Sequence, residues 1–423
     1  MKTIALALLL ALPALAQLPA FPGAEGFGAA TPGGRGGKVL IVSNLNDSGR
    51  GSLRAALETE GPRIIVFRVA GIIDLKSPIR VTQPFVTVAG HSAPGAGITL
   101  RGHGISVNTH DVIIRFLRSR PGDLSGDEVD GLAIGGASAN VVIDHCSVSW
   151  SVDENLSPSG AIRDVTVQWS IISEGLNRSV HAKGAHGYGS LTRASGGLTL
   201  HHNLWAHNAS RNPRLGCNYG RPPFPRFDVR NNVIYNAGGP NVAGDTFEAN
   251  YIANYHKKGP DSPLDHPIFS PTEKASLQFH FAGNYPARLQ WSARPGITQA
   301  ARPFDAPPVR TSSAAAAYEA VLAHAGASLP RRDAVDERVL REVREGTGAH
   351  IDTQWEVGGW PALEAGRPPR DTDRDGIPDD WEIARKLNPR DPADSAAKAP
   401  GGYTWIEEYL NELAANKKAG AAQ

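Results

Sequence analysis

Asn203-Leu204-Trp205-Ala206-His207-Asn208 is echoed further along the chain by Asn232-Val233-Ile234-Tyr235-Asn236 and Asn250-Tyr251-Ile252-Ala253-Asn254. Each reads as an asparagine, a short apolar strand and another asparagine. Short strand patterns also recur at 63–69, 85–89, 98–101, 112–117, 141–146, 165–169, 198–202, 227–231 and 247–251. Gly, Asn, Asp or Ser separates most of them and supplies turns. The repeat is about 20 to 30 residues long, a solenoid period. No helical stretch lies between the strands, which disfavours an alternating strand–helix sheet. Asparagine tolerates left-handed backbone and can bond along a stack of coils. The fold class expected is all-β, a right-handed parallel β-helix. A β-sandwich would use the same short strands but gives no reason for the recurring asparagine.

The first of these units lies inside His201-His202-Asn203-Leu204-Trp205-Ala206-His207-Asn208-Ala209-Ser210-Arg211-Asn212-Pro213-Arg214. Thr199, His201 and Asn203 alternate with Leu200, His202 and Leu204, the period of a strand. The strand runs into the turn-forming cluster Asn208-Ala209-Ser210. Arg211 and Arg214 follow, held apart by Asn212-Pro213. Proline fixes its own φ and biases Asn212 toward extended geometry. Two guanidinium groups on a stiff segment match carboxylates bidentately. A plain pair of surface arginines is the competing reading.

The 423 residues, 41% of them hydrophobic, suffice for one large core and a small appendage. A net charge of +1 gives no bulk attraction to nucleic acid or membrane. Lys2, the apolar run 4–12 and Ala14-Leu15-Ala16 read as a secretory signal cut before Gln17. That run is too short to span a bilayer, so an exported, soluble monomer is expected. Export permits a disulfide between Cys146 and Cys217, and two free buried thiols fit equally. The glycine-rich stretch 33–37 lacks the Lys-Ser/Thr ending of a phosphate loop. Ser52 is a plausible N-cap for a helix over 52–60 that would close one end of the core. The alanine-rich run 314–325 reads as helix, and 331–338 as a charged helix or return segment. The expected layout is a signal at 1–16, a β-helix domain at 17–345, a linker and return segment at 346–370, a calcium-binding tail at 371–411 and a disordered end at 412–423.

In that tail, Asp371-Thr372-Asp373-Arg374-Asp375-Gly376-Ile377-Pro378-Asp379-Asp380-Trp381-Glu382 matches the spacing of an EF-type loop. Asp371, Asp373, Asp375, Asp379 and Glu382 fall at ligand positions, and Gly376 at the sharp turn. So many carboxylates would repel one another without a cation, and Ca2+ is expected. Gly402-Tyr403-Thr404-Trp405-Ile406-Glu407-Glu408 looks like a degenerate second copy. Its earlier ligand positions would be Ala397, Ala399 and Gly401, so one ion is expected, with the second half supplying packing. The pair resembles the repeats of dockerin-like or thrombospondin type 3-like modules.

In mid-chain, Asp127-Glu128-Val129-Asp130, Asp144, Asp153-Glu154-Asn155 and Lys183 would be brought together laterally by stacked coils. Acids for a hard cation would then stand beside a cationic wall. Ile143-Asp144-His145, His201-His202-Asn203 and Arg211-x-Pro213 together resemble polysaccharide lyase family 1, the pectate lyases. Phe21-Pro22-Gly23-Ala24-Glu25-Gly26-Phe27-Gly28 and Gly49-x-Gly51-Ser52-Leu53-Arg54 resemble the start of its bacterial members. The resemblance spans 21–340. It implies a parallel β-helix and calcium-dependent β-elimination of polygalacturonate, an acidic polysaccharide. It makes Arg211, first arginine of an Arg-x-Pro-x-x-Arg motif, the proton acceptor. The second arginine falls at Gly216, and Arg214 stands in for it. Lys183 matches a substrate-binding lysine, and Asp130 and Asp153 match cation ligands. The partner acid of Asp153 falls at Ser157, which leaves Glu154 to supply that oxygen. Asp144, His145, His201 and His202 are expected to be buried structural groups. Two other readings are a polygalacturonase-type hydrolase drawing on Asp144 or Asp153, and a β-helix that only binds acidic glycans.

Overall fold

The computed structural model describes residues 18–263, 267–286 and 295–420, the last five of these by backbone alone. The expected signal segment lies outside these residues. The chain winds into a parallel β-helix with three parallel faces, a first sheet of eleven strands and a second and third of eight each. One coil places Ala139–Asp144 in the first sheet, Ser147–Ser149 in the second and Glu154–Pro158 in the third. The next places Arg163–Gln168, Ile171–Ser173 and Tyr188–Ala194 directly above. Side chains therefore stack in columns. Val141, Val165, Leu198 and Phe227 form one, and Ile143, Val167, Leu200 and Val229 another, all fully buried. Each such aliphatic side chain contributes about 1.5–3 kcal/mol on burial.

Asparagines hold the coils in register. The backbone N–H and side-chain amide of Asn203 donate to Asn232 Oδ1 at 2.9 and 3.1 Å. Asn232 does the same to Asn254, and Asn254 to Asn284. Each amide also reaches a main-chain carbonyl one coil back: Val167, Leu200, Val229 or Tyr251. The ladder runs down into earlier coils through Ser170 and Cys146, whose backbone N–H groups donate to Asn203 Oδ1 and Ser170 Oγ. The left-handed bend falls one residue earlier, at His202, Asn231 and Ala253, with φ of 55°, 53° and 52°. The stretch 199–204 is not one strand but two, Gly197–His201 and Leu204–Ala206, meeting at His202. Asn250 is not a ladder residue; it lies in a first-sheet strand and its amide donates to Asp228 and the Phe304 carbonyl.

The outer faces are covered unequally. Helix α1 (Leu53–Glu58), capped by Ser52, drives Leu53 and Leu57 into one end of the main core. Helices α2 (Ala314–His324) and α3 (Ala334–Glu345) bury Val321, Leu322, Val339 and Leu340 against Ile171, Leu204 and Val233 of the second sheet. Ala20, Phe21 and Ala24 cover Ile113 and Val142 of the first. The tail, with helices α4 (Asp379–Ala384) and α5 (Trp405–Gly420), packs Ile377, Ile406 and Leu410 on Ile64 and Val66. It is thus docked on the first sheet, and α5 continues through 412–420, where a disordered end was expected. The third sheet has no such cover among the described residues. Cys146 and Cys217 are both buried and free, so the bridge does not form. No described helix is long and apolar enough to cross a membrane.

Asn232→Ala should lower stability by about 3 kcal/mol, because it strands two buried donors of Asn203 and takes a donor from Leu200 O and Asn254 Oδ1. Urea unfolding measures this, and a loss under about 1 kcal/mol would show the ladder to be idle.

Candidate active site

The site forms where four successive strands of the uncovered sheet begin. Asp130 precedes Leu132–Ile134, Asp153 and Glu154 open Glu154–Pro158, Tyr188 opens Tyr188–Ala194, and Arg211 precedes Arg214–Cys217. Parallel strands stack about 4.8 Å apart, so these positions line up as one row. Asp130, Asp153 and Glu154 bring one oxygen each within 4.8 Å of one another. The Glu154 backbone N–H donates to Asp130 Oδ1 at 3.0 Å, and Glu154 Oε1 lies against Arg211 Nη1. The Arg211 guanidinium sits 4.0 Å over the Tyr188 ring. Its backbone is left-handed, with φ of 59°. A second ladder fixes that backbone: Asn155, Asn208 and Asn212 bond in sequence, and the Asn212 N–H donates to Asn241.

Two histidines that the sequence reading passed over join this row. His186 Nε2 is 2.9 Å and His181 Nε2 3.7 Å from Asp153 Oδ1, with the two rings stacked at 3.7 Å. Glu128 Oε1 lies 3.4 Å from His181 Nδ1. Lys183 is exposed on the loop between the histidines, and its backbone N–H donates to His181 Nδ1. Arg214 stands beside Arg211, though its other charged neighbours are Arg193 and Asp245.

Burial, followed by the charge of Asp153, pushes the Asp130 carboxyl up to about 7. Burial, followed by the charge of Arg214, brings Arg211 down to about 10, while Asp153 and Asp130 oppose this. Burial also lowers His186, against the pull of Asp153. Three crowded carboxylates, one driven toward its protonated form by burial and the charge of Asp153, are a donor set that fits a hard divalent cation. Asp144 belongs elsewhere. It is fully buried, bonded to Arg115, His145 and Gln168, and cannot pair with Asp153. His201 likewise contacts Gln168 and His202 inside the wall.

The tail loop assembles a second acid group. Asp371, Asp373 and Asp375 cluster, and Asp375 clusters with Glu382 and Asp394. Both oxygens of the fully buried Glu382, together with Asp373 Oδ2, Asp375 Oδ2 and Asp394 Oδ1, are buried without hydrogen-bond partners. Such groups cost several kcal/mol unless neutralised, and oxygen donors of this number fit a hard cation. Asp379 does not join them. Its carboxylate accepts from Thr372 N and Oγ1 at 2.7 Å each and pairs with Arg370, which closes the loop instead. Asp394 takes its place from the half read as ligand-free, three residues before the first position counted there.

Coil architecture and an acid-lined row of this kind fit an enzyme acting on an extended sugar chain. The sequence is 38% identical to the probable pectate lyase C of Aspergillus flavus over 94% of each chain. It is 37% identical to the probable pectate lyase C of Emericella nidulans, over 94% of this chain and 93% of that one. No family model matches. Among solved structures, the thermostable pectate lyase PL 47 is similar with a TM-score of 0.53 at 16% identity, over 72% of this chain and 97% of that one. The cedar pollen allergen Jun a 1 has a TM-score of 0.50 at 16% identity, over 72% and 92%. These two likenesses speak for the fold alone. The protein is a polysaccharide lyase built on a parallel β-helix. At this identity over nearly its whole length, the chain belongs to the pectate lyase family.

In the tail, burial and neighbouring acids hold Asp375 up at about 7 and Glu382 up at about 8. The cation-free folded state then binds more protons than the unfolded chain from about pH 4 to about pH 8, so its stability falls as pH rises through that window. Added calcium should therefore raise the melting temperature more at about pH 8 than at about pH 5, by roughly 3 °C or more. Differential scanning fluorimetry with Glu382→Gln beside the wild type checks this. The variant should lose the difference, and an equal shift at both pH values in the wild type would count against a cation here.

Proposed function

We propose that this protein is a secreted, calcium-assisted pectate lyase that cleaves polygalacturonate by β-elimination, leaving unsaturated oligogalacturonides. The observation that carries the reading is Arg211. It is half-buried, seated on Tyr188, and set beside an acid trio on the uncovered sheet. The relatives' names point to the same substrate, and the pattern at 1–16 supports export.

The C5 proton of galacturonate is α to a carboxylate and only weakly acidic. Calcium held by Asp130, Asp153 and Glu154 would supply Lewis-acid neutralisation of that carboxylate. Arg211 takes the C5 proton on an unprotonated guanidine nitrogen. The C4–C5 double bond forms as the C4–O4 bond breaks, and the leaving oxygen takes a proton from water. With its value held down near 10, Arg211 offers a small neutral fraction at neutral pH that grows with alkalinity. Glu154 can give Oε1 to Arg211 or to the acid trio, not fully to both. When it serves the trio, Arg211 loses its contact with Glu154, while Asp153 and Asp130 still favour its charged form. Lys183 and Arg214 add charge complementarity toward the substrate carboxylates. A two-carboxylate hydrolase has less support, since Asp144 is sealed in the wall.

Polygalacturonate assayed by ultraviolet absorbance, with and without chelator, separates the readings. A lyase gives chelator-sensitive absorbance, a hydrolase gives reducing ends without it, and a binder gives neither. Arg211→Lys should lower kcat by about 10²–10⁴ with KM little changed. A raised KM at normal kcat would make Arg211 a binding residue instead.

Asp130→Asn should raise the calcium needed for half-maximal activity. In the wild type that requirement should fall as pH rises through about 7, where Asp130 gives up its proton. A requirement independent of both would remove Asp130 from the cation site.

A further inference from the structure

Near Arg211 the same sheet carries two arginine side chains that make no ion pair among the described residues. Arg193 lies in the strand Tyr188–Ala194, and Arg214 opens the next, Arg214–Cys217. Arg193 pairs in register with Gly216, and Leu191 with Arg214. The intervening Thr192 and Leu215 are fully buried, so Arg193 and Arg214 project from the outer face. Nε of each is buried without a hydrogen-bond partner. Neither side chain makes an ion pair among the described residues. The exposed ring of Tyr219 stands 4.2 Å from the Arg193 guanidinium.

Gly216 makes this arrangement possible. A Cβ there would meet Asp245 Oδ2 at 3.2 Å and Arg193 Cγ at 3.6 Å. A longer side chain at 216 would take the ground that Arg193 now covers from the neighbouring coil. The motif Arg-x-Pro-x-x-Arg lacks its last arginine in this sequence, yet the Arg193 side chain from the coil below passes over that position. Burial first, and the charge of Arg193 second, hold Arg214 below its ordinary value, with Asp245 opposing. One partly exposed acid beside two guanidinium groups leaves net positive charge, which a bound carboxylate would answer bidentately.

We propose that Arg193 and Arg214, with Tyr219 as a side wall, form a second carboxylate subsite that holds a uronate neighbouring the one at Arg211. It takes free uronate in preference to its methyl ester, because the ester lacks the charge that two guanidinium groups need. This subsite rests on the lyase reading for its substrate class.

Steady-state kinetics on polygalacturonate and on partly methyl-esterified pectin test it, beside calorimetric binding of saturated oligogalacturonates to Arg211→Lys enzyme. Arg193→Ala should raise KM on polygalacturonate about tenfold or more, with kcat within about twofold. It should narrow the preference for unesterified substrate and weaken calorimetric binding by the same factor. Arg193→Lys, which keeps the charge without the fork, should fall between. Unchanged KM and unchanged affinity at an unchanged melting temperature would overturn the subsite, as would a fall in kcat alone. If wild-type enzyme formed no unsaturated product but Arg193→Ala still weakened binding, the lyase reading would fall and the subsite would stand.

Discussion

One coil is held over the next by a left-handed residue followed by a side-chain amide that bonds both ways along the stack. His202–Asn203, Asn231–Asn232 and Ala253–Asn254 repeat this device, and Gly283–Asn284 ends it with glycine at the bend. The amides are fully buried or nearly so, so an unmet donor or acceptor costs about 1–3 kcal/mol. Side-chain period in a strand is two, and a slip of one residue would turn each interior column outward. The ladder and the columns therefore enforce one another. Ser170 and Cys146 donate their backbone N–H groups into the same ladder, and the left-handed bend persists just before them, at Trp169 and His145.

The candidate active-site row is a consequence of that register. No local motif brings Asp130, Asp153 and Arg211 together; they meet because three coils start their third-sheet strands at the same height. Arg211 depends on it twice. The ladder through Asn208 and Asn212 pins its backbone from inside, and Tyr188, one coil below, supplies the ring beneath its guanidinium. Crowding then sets the electrostatics. Acids near acids push Asp130 up, and arginine near arginine pushes Arg211 down, each on top of burial. The two shifts bring a carboxyl and a guanidinium closer to neutral pH than either would stand in water.

The coil architecture was legible because strand, turn and asparagine recur at a steady spacing. Arg211 was legible because Pro213 marks its segment. The bend at His202 was not, since His-His-Asn continues a period-two pattern and only the stack shows which residue turns. Asn250 misled for the same reason: asparagine is equally at home on an outer strand face, where it meets Asp228. His181, His186 and Arg193 carry no spacing signal that separates them from ordinary surface residues. Their place depends on which residue lies one coil away, which is a register of roughly 20 to 30 residues with loops of unequal length. Asp394 was missed because a tail loop counted by position assumes that its ligands come from one hairpin, whereas packing of α5 brings this one from outside it.

In such a stack, a functional group belongs to a place on the sheet more than to a place in the sequence. Adjacent strands are about 4.8 Å apart, and an extended arginine reaches further than that. A guanidinium needed in front of one strand can therefore be delivered from the strand below, provided the residue beneath it is small. Gly216 and Arg193 are such a pair, since register sets them opposite and the absent side chain leaves the surface open. Glu154, beside Asp130 and Arg211, is a replacement made within one strand instead. Ser157 leaves the acid position empty, and the carboxylate arrives from three residues earlier on the same strand, with the Ser157 hydroxyl turned toward it at 3.5 Å. Where a motif is incomplete in the sequence, the strands on either side are the first place to look for the missing charge.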